Sequence, residues 1–233
     1  MIAVLCLTLL ITSLNEGVGH HHPGRSSVWP ERTSLPAIPV AVLAPSDIKD
    51  ALVSRICAET DAIWRPAGIT FEWHRVTSTD VLPMWSLHVT IDERAKELNG
   101  GRAVLGWIPF TADGPQPVIH LSRSNAEQLL LRTPAIGDTT ISGHETLVAR
   151  AMGRALSHEL GHYLLRTKVH TPHGLMRAVR SSEDFFRFSR DGFEPSASER
   201  EAAALFARRA MGTGYAPARR AARVDPMVAL RHD

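Results

Sequence analysis

The sequence predicts an α+β domain on three observations. Short runs rich in β-branched and aromatic residues fill its first half, one long stretch near 144–165 carries apolar residues at helical spacing, and a second helical stretch closes the patterned part. Strands and one early helix come first, then an isolated long helix, then a final helix, an order that is α+β in type. The expected architecture is a mixed twisted sheet of four to five strands with an early helix, a long central helix and a C-terminal helix. A chain of 233 residues suffices for one such domain with tails.

Ala37–Leu43 (AIPVAVL), bounded by prolines, reads as the first strand. Pro45-Ser46 then opens a helix, with Ser46 as its cap, Asp47 and Asp50 at the positive end of the dipole, and Ile48, Leu52, Ile56, Ile63 and Trp64 near helical spacing. Pro66 and Gly68 stop it. Ile69–Trp73 alternates as a second strand, Ser86–Asp92 as a third, and Ala103–Phe110 and Val118–Ser122 add extended segments around the turn-forming Asp113–Pro117. His88 and His120 alternate within these strands. Asn125–Arg132 is a short helix and Pro134–Gly143 a loop. In the long helix, His144–Leu165, Val148, Met152, Leu156, Leu160 and Leu164 form an i, i+4 core stripe, with Arg150, Arg154 and Ser157 on another side. The last helix, Ala197–Met211, is capped by Ser196 or Ser198.

The margins differ. Residues 1–36 combine an apolar run, Met1–Leu14, of signal-peptide length with a Pro/Ser/Arg-rich linker holding His20, His21 and His22. No Lys or Arg precedes the run and no clear cleavage site follows it, so export and cytoplasmic residence both stay open. Residues 212–233, with Arg219, Arg220, Arg223 and Arg231, read as a mobile basic tail, leaving 37–211 as the folded domain.

Lys and Arg number 26 against 24 Asp and Glu, a formal charge of +2 that gives no default attraction to nucleic acid. No stable membrane span is expected in the mature chain, and a monomer is. Two cysteines, Cys6 and Cys57, cannot build a disulfide framework; Cys57 reads as a small buried hydrophobe.

The chemistry lies in His158-Glu159-Leu160-Gly161-His162. Two histidines one helical turn apart can approach one cation from the same side, with Glu159 beside the open coordination position. Catalytic zinc sites use three protein ligands and leave a fourth position for water. His170, eight residues after His162, is the best third donor; His173, or a downstream Glu183 or Glu199, are the alternatives. Beyond it, Gly174-Leu175-Met176 favours a tight turn that puts a thioether under the metal.

Over residues 144–178 the chain resembles the metzincin clan of zinc metalloproteases, in which an HExxH helix is followed by a third His and a Met-containing turn. By that resemblance His158, His162 and His170 are zinc ligands, Glu159 the general base and Met176 the Met-turn residue of a metalloendopeptidase acting on peptides or proteins. Where the common pattern has Gly and His, this chain has Leu165 and Lys168, and seven residues instead of five separate the second His from the third. It is similar to bacterial metzincin-like proteins with a longer spacer, in which Gly often stands where Arg166 does; Arg166 is less comfortable than Gly in a left-handed cap. Ala178 stands where astacin-like and serralysin-like members have Tyr. The resemblance also implies that Val118–Ser122 is the edge strand that aligns substrate. The rival readings are a zinc-stabilised binding module without catalysis and a zinc hydrolase of a non-peptide substrate.

Overall fold

The computed structural model describes residues 35–77, 86–93, 97–98, 102–133 and 140–212. The expected leader, the His20–His22 triplet, Cys6, most of the Pro134–Gly143 loop and the basic tail lie outside the described residues.

Strand β1 (Ile38–Leu43) leads through α1 (Asp50–Trp64) and a 3-10 turn (Arg65–Ala67) to β2 (Phe71–Val76). Then come β3 (Leu87–Asp92) and five two-residue strands: β4 (Glu97–Leu98), β5 (Arg102–Ala103), β6 (Gly106–Trp107), β7 (Phe110–Thr111) and β8 (Gly114–Pro115). Strand β9 (Val118–Ser122) runs into α2 (Arg123–Leu131), followed by α3 (Ile141–Leu165), α4 (Ser182–Phe186) and α5 (Ala197–Gly212). The main sheet has the order β2-β1-β3-β9-β6. Its first four strands are parallel; β6 alone pairs antiparallel, through Gly106 to Leu121 and Trp107 to His120. The sheet is therefore mixed and five-stranded, as expected. Val118–Ser122 is not its edge: Trp107 and Gly106 cover that side, because the chain doubles back after β5 and offers a short antiparallel partner.

β1 is buried through Val42, the pattern of a strand covered on both faces. The α3 stripe is buried as expected, Val148, Met152, Leu156, Leu160 and Leu164 all at 2% exposure or less. Each such side chain contributes about 1.5–3 kcal/mol relative to exposure. Arg154 and Ser157, expected away from that stripe, are also at 0% exposure. The cause is α1, which crosses α3 so closely that a Cβ on Gly153 would lie 2.7 Å from the Glu59 Cβ. Thr60 Oγ1 donates to the Gly153 carbonyl, and Trp64 Nε1 to that of Ser157. Cys57 is buried in this layer, and burial pushes its thiol up to about 12.

Helix starts follow capping chemistry with two shifts. Ser46 is not the cap of α1: Ile48 N–H donates to the Pro45 carbonyl in a turn, and the helix begins at Asp50. α3 begins at Ile141, before His144, because Thr140 Oγ1 accepts the Gly143 N–H. At α5 the cap is Ser196, whose hydroxyl accepts the Glu199 N–H while Glu199 accepts the Ser196 N–H. No described helix is long and apolar enough to cross a membrane.

Candidate metal centre

α3 carries His158 and His162 on one ridge, and both rings are fixed from behind. His158 Nδ1 donates to the Leu175 carbonyl at 2.9 Å, and His162 Nδ1 to that of Thr167 at 2.7 Å. A carbonyl only accepts, so each Nδ1 carries the proton and each neutral ring presents a bare Nε2. The two Nε2 atoms face one another at 3.1 Å. Burial holds His158 down to about 4 and His162 below the ordinary imidazole value, so both rings are neutral near pH 7. Two lone pairs meeting at that distance repel unless something electropositive lies between them.

The chain then returns with a third imidazole. α3 stops because Arg166 takes a left-handed conformation, φ 55, the one non-glycine positive φ among the described residues. Thr167 N–H closes the cap on the His162 carbonyl. His170 arrives stacked on His158 (5.2 Å between ring centres, 13° between planes) and edge-on to His162 (4.9 Å, 87°). One nitrogen from each of His158, His162 and His170 lies within 4.8 Å of the others. The seven-residue spacer thus closes a three-histidine set. Its alternatives stay out of that set: His173 is exposed in the following turn, Glu183 is exposed on α4, and Glu199 is occupied as the α5 capping residue.

Met176 lies in the floor. It is 1% exposed, and a Cβ on Gly161 would overlap its sulfur, so the Gly of HELGH is what lets the turn press against α3. Gly174, at φ 74, bends that turn, and Thr171 N–H donates to the Met176 carbonyl. Arg180 ties it down from the far side, donating to the carbonyls of Gly174, Leu175 and Gly192 and lying 3.8 Å from the Phe193 ring centre. Since Leu175 is also the acceptor for His158, Arg180 supports a first histidine through one shared oxygen. Burial pushes this guanidinium down to about 10. Sequence reasoning passed over Arg180; its only local signal was an arginine four residues after the Met.

Glu159 is 8% exposed and lines the same cleft as the three histidines, a cavity of about 770 Å³. A Cβ on Gly106 would stand 3.2 Å from the Glu159 Cγ, so β6 passes directly over this carboxylate. Trp107, Ile108 and Phe110 form one apolar wall and Val179 and Phe185 another. Trp107 stacks on His120 (4.8 Å, 7°), whose Nδ1 is 3.2 Å from Asp92 Oδ2, so His120 braces that wall outside the metal set. Three imidazoles with an open side toward a cleft fit zinc: imidazole suits that ion, and the oxygen-rich shell of calcium or magnesium is absent among the clustered residues.

No family model and no curated protein matches the chain. Among solved structures it is similar to a zinc-dependent peptidase from Methanocorpusculum labreanum, at 10% identity and TM-score 0.46 over 70% of this chain and 99% of that one. It is also similar to an archaemetzincin from Methanopyrus kandleri, at 15% identity and TM-score 0.43 over 78% of this chain and 98% of that one.

Proposed function

We propose that the chain is a zinc-dependent endopeptidase of metzincin type, with His158, His162 and His170 as ligands and Glu159 as general base. The observation that carries this is the pair of Nε2 atoms facing each other at 3.1 Å, joined by a third imidazole, in a cleft that also holds a buried carboxylate. Zinc bound there supplies a Lewis acid that polarises a peptide carbonyl and acidifies a water. The Leu175 and Thr167 carbonyls hold these two rings in the tautomer that leaves Nε2 free, so neither of them has to give up a proton on binding. Glu159 takes the proton from the attacking water and delivers it to the leaving amine nitrogen. Gly106, without a side chain, leaves room above that carboxylate, and the outer edge of β6 offers backbone groups to an extended peptide.

Elemental analysis joined to digestion of a mixed peptide pool, with and without chelator, tests this. Wild type should carry zinc and cut inside peptides. Glu159→Gln should keep the zinc and lose about 10²–10⁴-fold in rate. Zinc without cleavage of any peptide would move the chain to the zinc-stabilised binding module instead.

A further inference from the structure

The walls of the cleft carry a one-sided charge. Besides Glu159, its ionisable lining away from the histidines is entirely cationic: Arg132, Arg154, Lys168, Arg177 and Arg180. Two of these are committed to the protein, Arg154 to Glu59 and Arg180 to three backbone carbonyls. The other three are exposed, and among the described residues none has a carboxylate within ion-pair distance. They come from separate elements. Arg132 ends α2, Lys168 lies between the end of α3 and His170, and Arg177 follows the turn methionine. Lys168 is placed close to the histidines: its Nζ is 5.0 Å from the Phe110 ring centre, and that ring is 6.2 Å from His162. Cations on several walls of an apolar cleft focus a positive potential inside it, because the low-dielectric walls do not screen the charges as open water does.

We infer that the cleft selects peptides bearing a carboxylate next to the scissile bond, through Lys168, Arg132 and Arg177, and rejects peptides with a cation there; this rests on the peptidase reading above. The apolar walls hold the backbone and neighbouring side chains, and the cations supply the discrimination. The same charges penalise a lysine or arginine side chain, so specificity has both an attractive and a repulsive part. The carboxylate has two sources, an Asp or Glu side chain or the free end of a peptide.

Binding measured apart from turnover separates this inference from the one beneath it. Zinc-loaded Glu159→Gln protein is titrated, by fluorescence anisotropy, with peptides that differ at one position (Glu, Gln or Lys), each with a free or an amidated C-terminus. The Glu peptide should bind about tenfold tighter than its Gln isostere, the Lys peptide should bind weakest, and the Glu advantage should shrink in high salt. If amidation removes the preference, the terminal carboxylate is the group read; if the Glu advantage survives amidation, the side chain is. Lys168→Glu should reverse the order of the Glu and Lys peptides while leaving the zinc content at one per chain. Lys168→Ala, Arg132→Ala and Arg177→Ala should each lower Glu-peptide affinity by about two- to fivefold without moving the Gln peptide. Equal binding of Glu, Gln and Lys peptides, or no binding by any, overturns the inference. Wild type that cuts all three alike would overturn it too while leaving the peptidase reading intact.

Discussion

Arg154, His158 and His162 follow one another at four-residue intervals along a single ridge of α3, and Arg166, four residues further, is its cap; yet the ends and the middle of this series are completed differently. Arg154 is at 0% exposure with each of its three nitrogens bonded inside the protein: Nε donates to Glu59, Nη1 to the Asp184 carbonyl and Nη2 to that of Ser189, while the Phe193 ring centre lies 4.7 Å from its guanidinium carbon. Arg190 supplies Glu59 with a second cation. Arg166, at the far end, donates to the Asp113 carbonyl on the β7–β8 hairpin. The two histidines between them are also half satisfied by carbonyls, but their remaining nitrogens point at one another. A buried polar group completed by the chain reads as architecture; one whose completion needs an ion reads as a site.

The largest effect comes from breaking the closed end. Glu59→Ala leaves Arg154 charged and buried with no carboxylate, and should cost about 3–5 kcal/mol of unfolding free energy. Urea unfolding followed by circular dichroism checks this, and the loss should be the same with and without chelator because no metal completes that cluster. A loss that vanished in chelator would mean that the two stretches are one unit.

The open middle should respond the other way. With free zinc at 10²–10³ times its dissociation constant, the bound ion stabilises the fold by about 3–4 kcal/mol, and chelation should remove that amount. His158→Ala should erase the chelator response while unfolding near the chelated wild type, since an alanine there leaves no charge stranded. An undiminished chelator response in that variant would put the metal elsewhere.

The contrast along the ridge also separates what the sequence revealed from what it hid. HELGH was readable because its chemistry is local: two rings one turn apart on an apolar-striped helix. The core stripe of α3 and the apolar face of α1 were readable for the same reason. By spacing alone Arg154 falls in a polar group off that stripe, because its partner, Glu59, is 95 residues away on α1 and the neighbouring Gly153 does not by itself say which element crosses there. The sequence favours His170 over His173 but does not show how its ring reaches the pair; that return is made by a left-handed residue at 166 and by the Thr167 carbonyl caught by His162, both conformational facts. The true edge of the sheet is hidden in the sequence because a two-residue strand, Gly106–Trp107, leaves no periodicity to read.

Arg166 gives the smallest effect and tests whether the far end of the ridge is a compromise. A non-glycine residue at φ 55 is strained by about 1 kcal/mol, and a net hydrogen bond such as that to the Asp113 carbonyl returns about 0.5–1.5 kcal/mol. Arg166→Ala keeps the strain and loses the bond, so its stability should fall by about 0.5–1 kcal/mol. Arg166→Gly loses the bond and relieves the strain, so it should stay within about 0.5 kcal/mol of wild type and unfold at a higher urea concentration than the alanine variant. Equal midpoints for Ala and Gly would show that residue 166 does not hold a positive φ in solution. The return of the chain to His170 would then rest on the hydrogen bond from His162 Nδ1 to the Thr167 carbonyl, which no side-chain substitution at residue 166 removes.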